Sequence, residues 1–298
     1  MSTAPAQVTV LIPTRAAAER KSSLRQAIES VLCQQDVDAR VVVLVNGASA
    51  EPDLPRTLLD DPRVSLLRRT VADLPAAFQQ GAHAVETASF ATLDDDDLLL
   101  PGALKVRLAA LARHPECMVV VSNGYRRHHG RDTLHVTSSQ EIQRDPLRAL
   151  LRRNWLLPGS WLCRATPETR TLFDAMPRHL ECTYLGVRFS ELGMVWIDEP
   201  TMIYSVGSPV SASQSREYVE GQAAALRKIL ELGLPAYARR ELRVRIVGSH
   251  HRLANLALQG GAIGEAWRWH LATLRAPAGW RYLPFMRHLV RASLRARQ

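Results

Sequence analysis

Three short apolar runs, each cut off by a polar turn, constrain the fold of this chain more than any other feature. Val8–Ile12 (VTVLI) stops at Pro13, Val41–Val45 (VVVLV) stops at Asn46-Gly47, and Phe90–Leu93 (FATL) runs into Asp94-Asp95-Asp96-Asp97. Apolar residues in succession, rather than in alternation, mark strands buried on both faces of a parallel sheet. Between the runs the period changes. Leu24, Ala27, Ile28, Val31 and Leu32 recur at helical spacing, with Ser22 or Ser23 available as N-cap. Asp73 precedes a second helical pattern with Ala77, Phe78, Ala82 and Val85. Pro101 suits the first turn of a third, which carries Leu104, Leu108 and Leu111. Val64–Leu67 and Met118–Val121 add strands. The alternation predicts an α/β fold, a mostly parallel sheet sandwiched by helices. Ligands bind such sheets beyond the carboxyl ends of the strands. Three loops fall there: Pro13–Arg15, Asn46–Ser49 and Asp94–Asp97.

Past residue 122 the pattern loosens. Trp155–Cys163 and Met194–Tyr204 read as further strands, and from about Gly221 the chain is helical in pattern to its end. Two regions are expected within the 298 residues, an α/β domain over 1–215 and a basic helical region over 216–298. The formal net charge is +9, which by itself suits nucleic acid, an anionic membrane or a phosphorylated substrate. Its location decides among them. Residues 239–298 hold twelve arginines against two acids, Glu241 and Glu265. The excess therefore belongs to the helical region, and no nucleic-acid partner is expected. The four cysteines are scattered without a CxxC pair, which argues against a zinc ribbon or a disulfide framework. No apolar run approaches ~18 residues. Met1–Gln7 lacks the basic-then-apolar order of a secretory signal. A cytoplasmic setting is the expectation.

Four consecutive aspartates at a strand end repel one another, and they stay ionised together only when solvated or neutralised by a cation. A solvated turn would explain an isolated run. This run follows a buried strand and faces the expected crevice. Mg²⁺ or Mn²⁺ there would take oxygen ligands from one or two carboxylates and from substrate phosphates, and would stabilise a departing diphosphate as a Lewis acid. LIPTRAAAER has no glycine to cradle a triphosphate, and no GxGxxG follows a strand. Nucleotidyltransferase and nicotinamide-binding readings fail on that ground.

From Val8 to Ser213 the segments VTVLIPT, LRQAIESVLCQQ, VVVLVNGAS, FATLDDDDLLLPGAL and WIDEPTMIYSVGSPVSAS occur in an order that resembles the family 2 glycosyltransferases, which have the GT-A fold. The resemblance implies transfer of a sugar from a nucleotide-sugar donor, with inversion at the anomeric carbon, to a saccharide or lipid-linked acceptor. Surface-polysaccharide or glycolipid assembly is the implied setting. It places Asp94, Asp95 and Asp96 on the family's DxD region, Asp95 near the donor ribose and Asp96 on the metal, with Asp97 capping the turn or the next helix. Pro13 and Thr14 match the loop that holds the nucleoside, and Asn46 stands where an aspartate commonly reads the base. The chain departs from the family at Arg15-Ala16, where Tyr-Asn is usual. It departs again at Asn46-Gly47-Ala48-Ser49, where Asp-Asp-Gly-Ser is usual, and at Phe78, where an arginine is common; Gln79 and Gly81 fit. Arg15 is a candidate phosphate contact.

Inversion needs a base that takes the proton of the acceptor hydroxyl. The family places a Glu-Asp pair seven and six residues before an arginine. With Arg188 in that role the pair falls on Glu181-Cys182, so a cysteine stands where the base usually is. Three readings stay open: Glu181 is the base, another acid such as Glu191 supplies it, or the chain is a nucleotide-sugar-binding relative that has lost catalysis. Cys182 as a nucleophile does not suit direct inversion and reads as a small buried hydrophobe. Trp155 and Trp161 lie in the segment that borders the acceptor in the family, where rings stack on sugars, although core packing explains them better. His128-His129, in extended chain, would face opposite ways. Near the C-terminus Leu283, Phe285, Met286, Leu289, Val290 and Leu294 share one helical arc beside Arg287, Arg291 and Arg295. This face either packs on the catalytic domain, with its arginines solvated, or lies on an anionic membrane surface, which would make the protein peripheral on its inner face.

Overall fold

The computed structural model describes residues 7–47, 60–206 and 216–296. Ala48 and Ser49 of the second loop, and residues 207–213 of the last motif, lie outside them. The chain separates into two compact units, one drawn from Met1–Met176 and Glu181–Ser208, the other from Pro177–Leu180 and Pro209–Gln298.

In the first unit the three apolar runs become β1 (Val8–Thr14), β2 (Ala39–Asn46) and β4 (Ser89–Thr92), with β3 (Val64–Arg69) beyond β2. These four are mutually parallel in the order β3-β2-β1-β4. Helix α1 (Lys21–Leu32) connects β1 to β2, and α2 (Leu74–His83) connects β3 to β4. The chain thus moves outward from β1 through β2 to β3, then returns to the other side of β1. That reversal places a crevice outside the carboxyl ends of β1 and β4.

The sheet continues through β5 (Leu98–Leu99), β6 (Val119–His128), its hairpin partner β7 (Arg131–Leu134), β8 (Trp161–Arg164) and β9 (Met194–Val206). Here the pairing changes character. β8 is antiparallel to both β4 and β6, and β5 is antiparallel to β9, while β6 and β9 are parallel. The result is a mixed sheet whose parallel half carries the crevice. Helices α3 (Ala103–Arg113), α4 (Gln140–Arg144), α5 (Pro146–Arg152), α6 (Pro167–Arg170) and α7 (Glu181–Leu192) complete the unit. Its core is Val8, Val10, Ile12, Val41, Val43 and Val45 packed with Leu24, Ile28 and Val31 of α1 and Leu104 and Leu111 of α3.

Several local expectations are corrected. Neither Ser22 nor Ser23 caps α1. A 3-10 turn, Ala18–Arg20, feeds straight into the helix, so Arg20 sits at the cap position and Ser23 Oγ donates to its carbonyl at 3.0 Å. Pro101 stays in the turn before α3, because Gly102 at φ +76° intervenes, a conformation that favours glycine. Residues 155–160 do not extend β8. Ser160 Oγ accepts from Leu157 N–H and donates to its carbonyl, closing a turn, and at Gly159 a Cβ would lie 2.8 Å from Leu93. His128 and His129 meet edge to face at 4.1 Å rather than pointing apart, since His129 turns the β6–β7 hairpin at φ +48°.

Arg107 of α3 is wholly buried. It donates to Thr201 Oγ1 (2.6 and 3.1 Å), the Trp161 carbonyl (3.2 Å) and the Gly159 carbonyl (2.8 Å). Burial pulls its pKa down to about 9. This guanidinium ties the 155–160 turn to β9.

The second unit holds α8 (Arg216–Leu230), α9 (Ala236–Gln259), α10 (Ile263–Arg275), a 3-10 segment Gly279–Phe285 and α11 (Met286–Arg295). α9 and α10 form a helical hairpin, turned at Gly261 with φ +74°. Ala257, Ala266 and Leu289 form its core with Trp267 and Phe285. The apolar arc predicted near the C-terminus is divided between the 3-10 segment and α11. Leu289 is buried, whereas Leu283, Val290 and Leu294 are exposed alongside Arg287, Arg291 and Arg295.

Candidate active site

The crevice is assembled by register. Leu11 pairs with Thr92 where β4 ends, and three residues beyond each, at the end of β1 and in the acidic turn after β4, Thr14 meets Asp95. The Thr14 hydroxyl donates to Asp95 Oδ2 at 2.7 Å and accepts from Ala16 N–H at 3.1 Å. From the α1 cap position Arg20 reaches the same place, its Nη1 3.2 Å from Asp95 Oδ1 and 2.5 Å from Asp96 Oδ2. Asp97 N–H donates to the Asp94 carbonyl at 3.1 Å, which closes the acidic turn. Asp97 Oδ1 accepts from Ser205 N–H at 2.8 Å. Asp97 therefore fastens the turn to β9 rather than capping α3.

The electrostatics are those of crowded carboxyls. Burial, then Asp96, Asp95 and Glu181, pushes Asp94 up to about 7. Burial also raises Asp95, against the Thr14 hydroxyl and Arg20. Asp97 lies well above the usual range through burial and the nearby Asp94, and its buried Oδ2 has no partner among the described residues. Burial works against the charge of Arg20, but Asp96, Asp95 and Asp94 more than offset it and its pKa is raised. Among the described residues no three His, Cys, Asp or Glu side chains form a ready-made metal cage.

Glu181 opens α7 and belongs to this cluster, as its influence on Asp94 shows. Burial raises it to about 7. Glu191 lies ten residues along the same helix, roughly 15 Å away along its axis, and pairs with Arg188 at 3.1 Å. The geometry thus separates the two acids that the sequence leaves open. Burial, then Glu181, Asp94 and Asp97, drives the Cys182 thiol well above its usual value. A thiol held neutral is a poor nucleophile.

The other expected residues divide. Pro13 is half-buried within β1, and Arg15 is exposed in the loop after it. Asn46 ends β2, but its side-chain oxygen accepts from Asp73 N–H at 2.8 Å, so it orders the start of α2. Trp155 and Trp161 are corrected from acceptor candidates to core. Trp161 is 0% exposed among Phe90, Phe173 and Phe189. Trp155 is 2% exposed, donates to the Pro146 carbonyl at 2.9 Å and meets Trp196 edge to face. Neither ring has a free face for a sugar. Phe78 stacks on Phe173 at 5.1 Å, so its position serves the core.

Two residues near the cluster carry no sequence signal of their own. Arg20 is one. The other is Tyr204 of β9, whose hydroxyl is pushed up to about 12 by burial, Asp94 and Asp97, with Arg126 5.7 Å from its ring centre.

No curated protein sequence matches the chain. Among solved structures, TarS of S. aureus is similar. Its residues 1–349 in complex with UDP-GlcNAc give a TM-score of 0.61 at 14% identity, over 89% of this chain and 79% of that one. The same segment with UDP gives 0.55 at 13% identity, over 86% and 74%. A longer TarS structure gives 0.55 at 14% identity, over 82% of this chain and 43% of that one. At these identities the likeness establishes the fold, which is GT-A. The sequence profile of glycosyl transferase family 2 matches residues 9–165, the segment that builds β1 through β8 and the acidic turn between them. A match over more than half of the chain, centred on the crevice itself, assigns the protein: it belongs to glycosyl transferase family 2.

Proposed function

We propose that this glycosyltransferase inverts: it moves a sugar from a nucleotide-sugar donor to a hydroxyl of a saccharide or lipid-linked acceptor, in surface-polysaccharide or glycolipid assembly. The observation that carries the reading is Glu181, a carboxyl at the start of α7 within electrostatic reach of Asp94. A base that titrates near neutral pH suits proton abstraction at the working pH. The acceptor oxygen attacks the anomeric carbon as the bond to the diphosphate breaks, and Glu181 takes the hydroxyl proton. No covalent enzyme intermediate is needed, which accords with the neutral Cys182.

The donor set fits a hard divalent cation. Every candidate ligand is a carboxylate oxygen, and the cluster has more carboxyls than Arg20 neutralises. Asp96, with Asp95, would hold Mg²⁺ or Mn²⁺, which supplies charge stabilisation for the departing diphosphate. Thr14 orients Asp95 toward the donor. The TarS structures with UDP-GlcNAc and UDP support a nucleotide-sugar donor.

The C-terminal helix would meet the acceptor's membrane. Trp280 is 68% and Leu294 59% exposed, with Leu283 and Val290 between them and Arg287, Arg291 and Arg295 alongside. Apolar side chains bordered by arginines match an anionic lipid surface. No helix among the described residues is long and apolar enough to cross a membrane. The exposed apolar and arginine side chains support a peripheral position on the cytoplasmic face of a membrane.

Calorimetry with UDP and other nucleoside diphosphates in Mn²⁺, followed by assay of sugar release from the donor that binds, tests the reading. Metal-dependent binding and slow release that Glu181→Gln abolishes are expected. Binding without any release points instead to a relative that has lost catalysis. For the helix, flotation with phosphatidylglycerol vesicles but not phosphatidylcholine vesicles is expected, and Val290→Glu with Leu294→Glu abolishes it.

A further inference from the structure

The cation-deficient cluster already contains one cation, and its position is informative. Arg20 Nη1 sits between two different aspartates, 3.2 Å from Asp95 Oδ1 and 2.5 Å from Asp96 Oδ2. Those are the carboxylates to which the metal was assigned above. The contact is partly shielded, the three side chains being 23%, 14% and 25% exposed. A guanidinium keeps its proton at any working pH. It cannot yield the carboxylates by deprotonation and must move. Two positive charges on the same pair of carboxylates would repel each other strongly in a partly desolvated site.

We propose that Arg20 is an internal counter-cation that competes with the divalent metal for Asp95 and Asp96, so that metal and donor diphosphate bind as a cooperative pair. Metal alone must displace the guanidinium into solvent. Metal arriving with a diphosphate displaces it toward an anion, for which the planar fork of an arginine is well matched. Arg20 is rooted at the cap of α1, on the loop that leaves β1 at the crevice mouth, so the displaced side chain remains beside the bound anion. It acts as a positioning residue: it holds Asp95 and Asp96 apart from metal until the donor is present. The inference rests on the cation reading of Asp96, and its test reads metal binding without turnover.

The full chain is titrated with Mn²⁺ alone, free ion being read by electron paramagnetic resonance, and then with Mn²⁺ at saturating UDP. Arg20→Gln binds Mn²⁺ alone at least about tenfold tighter than the native protein, one unfavourable charge having been removed. Arg20→Lys falls between, and Asp96→Asn in the Arg20→Gln background cancels the gain. UDP tightens Mn²⁺ binding in the native protein by a larger factor than in Arg20→Gln, a coupling that is reciprocal by linkage. Equal or weaker Mn²⁺ binding by Arg20→Gln overturns the proposal, as does an equal UDP effect in both proteins. Melting temperatures on the same samples guard against a folding defect, with the Mn²⁺-induced rise expected to be larger in Arg20→Gln and equal rises counting against the idea. If UDP binds neither protein, the donor reading fails while the metal-alone comparison still decides the competition.

Discussion

Replacing Asp94 by asparagine should stabilise the protein at alkaline pH and leave it unchanged in acid. Asp94 is held at about 7 in the folded chain against an ordinary 3.8, by burial and by Asp96, Asp95 and Glu181. Charging it in place therefore costs about 4 kcal/mol more than in the unfolded chain. Because it shares its protons with neighbouring carboxyls, the part removable at one residue is smaller, about 2 kcal/mol. Between pH 4 and 7 the folded state keeps a proton that the unfolded chain has shed. Its stability contribution is present in full below pH 4 and is lost as the pH climbs through 7. Histidines work in the opposite sense. Burial takes His135 down to about 4 and lowers His179, His250, His251 and His270, so the native protein's own profile mixes both trends. The difference between variant and native protein isolates Asp94. Thermal unfolding from pH 4 to 8, without metal, should show Asp94→Asn equal to the native protein near pH 4. Its advantage should grow to a plateau above pH 7, about 4–8 °C for a chain of this size. A variant that melts below the native protein at pH 8, or an offset independent of pH, would refute the account of a crowded, cation-deficient cluster.

Three further outcomes are expected. Glu181→Gln should lower sugar transfer by about 10²–10⁴-fold while leaving nucleoside-diphosphate affinity unchanged, measured by product formation and calorimetry on one preparation; loss of both would make Glu181 a binding residue. Thr14→Val removes the hydroxyl that donates to Asp95 and accepts from Ala16, and should cost about 1–2 kcal/mol in urea unfolding, with Thr14→Ser recovering most of it. Arg107→Met strips the Gly159 and Trp161 carbonyls and Thr201 of their buried donor and should lower stability by about 3 kcal/mol, seen as a urea midpoint shift at constant m-value.

Much of the α/β half was legible because its signals are local. VTVLI, VVVLV and FATL need no partner to declare buried strands, and Asp73, followed by an apolar helical period, does cap α2 by accepting from Ala76 N–H. The failures share a different cause. Ser22 and Ser23 are good caps by composition, but a preceding 3-10 turn took the cap position for Arg20. Trp155 and Trp161 have the same side chain whether they face a sugar or a core, and only their neighbours distinguish the two. Asn46 also accepts from the backbone of Asp73, 27 residues away, a partner that no local pattern announces.

What the sequence determined by itself was the class of fold, the crevice end of the sheet and the acidic turn within it, since period and strand-ending residues are properties of a few adjacent positions. What only the tertiary structure decided was company. The β1–β4 register set Thr14 against Asp95. The 3-10 turn sent Arg20 into the aspartates. The rise of α7 carried Glu191 away from the cluster and left Glu181 beside it. Those pairings span up to 87 residues of chain between Asp94 and Glu181. A local pattern cannot specify them, because distance in space between such residues is set by how the strands order and the helices pack, not by any residue's own preference.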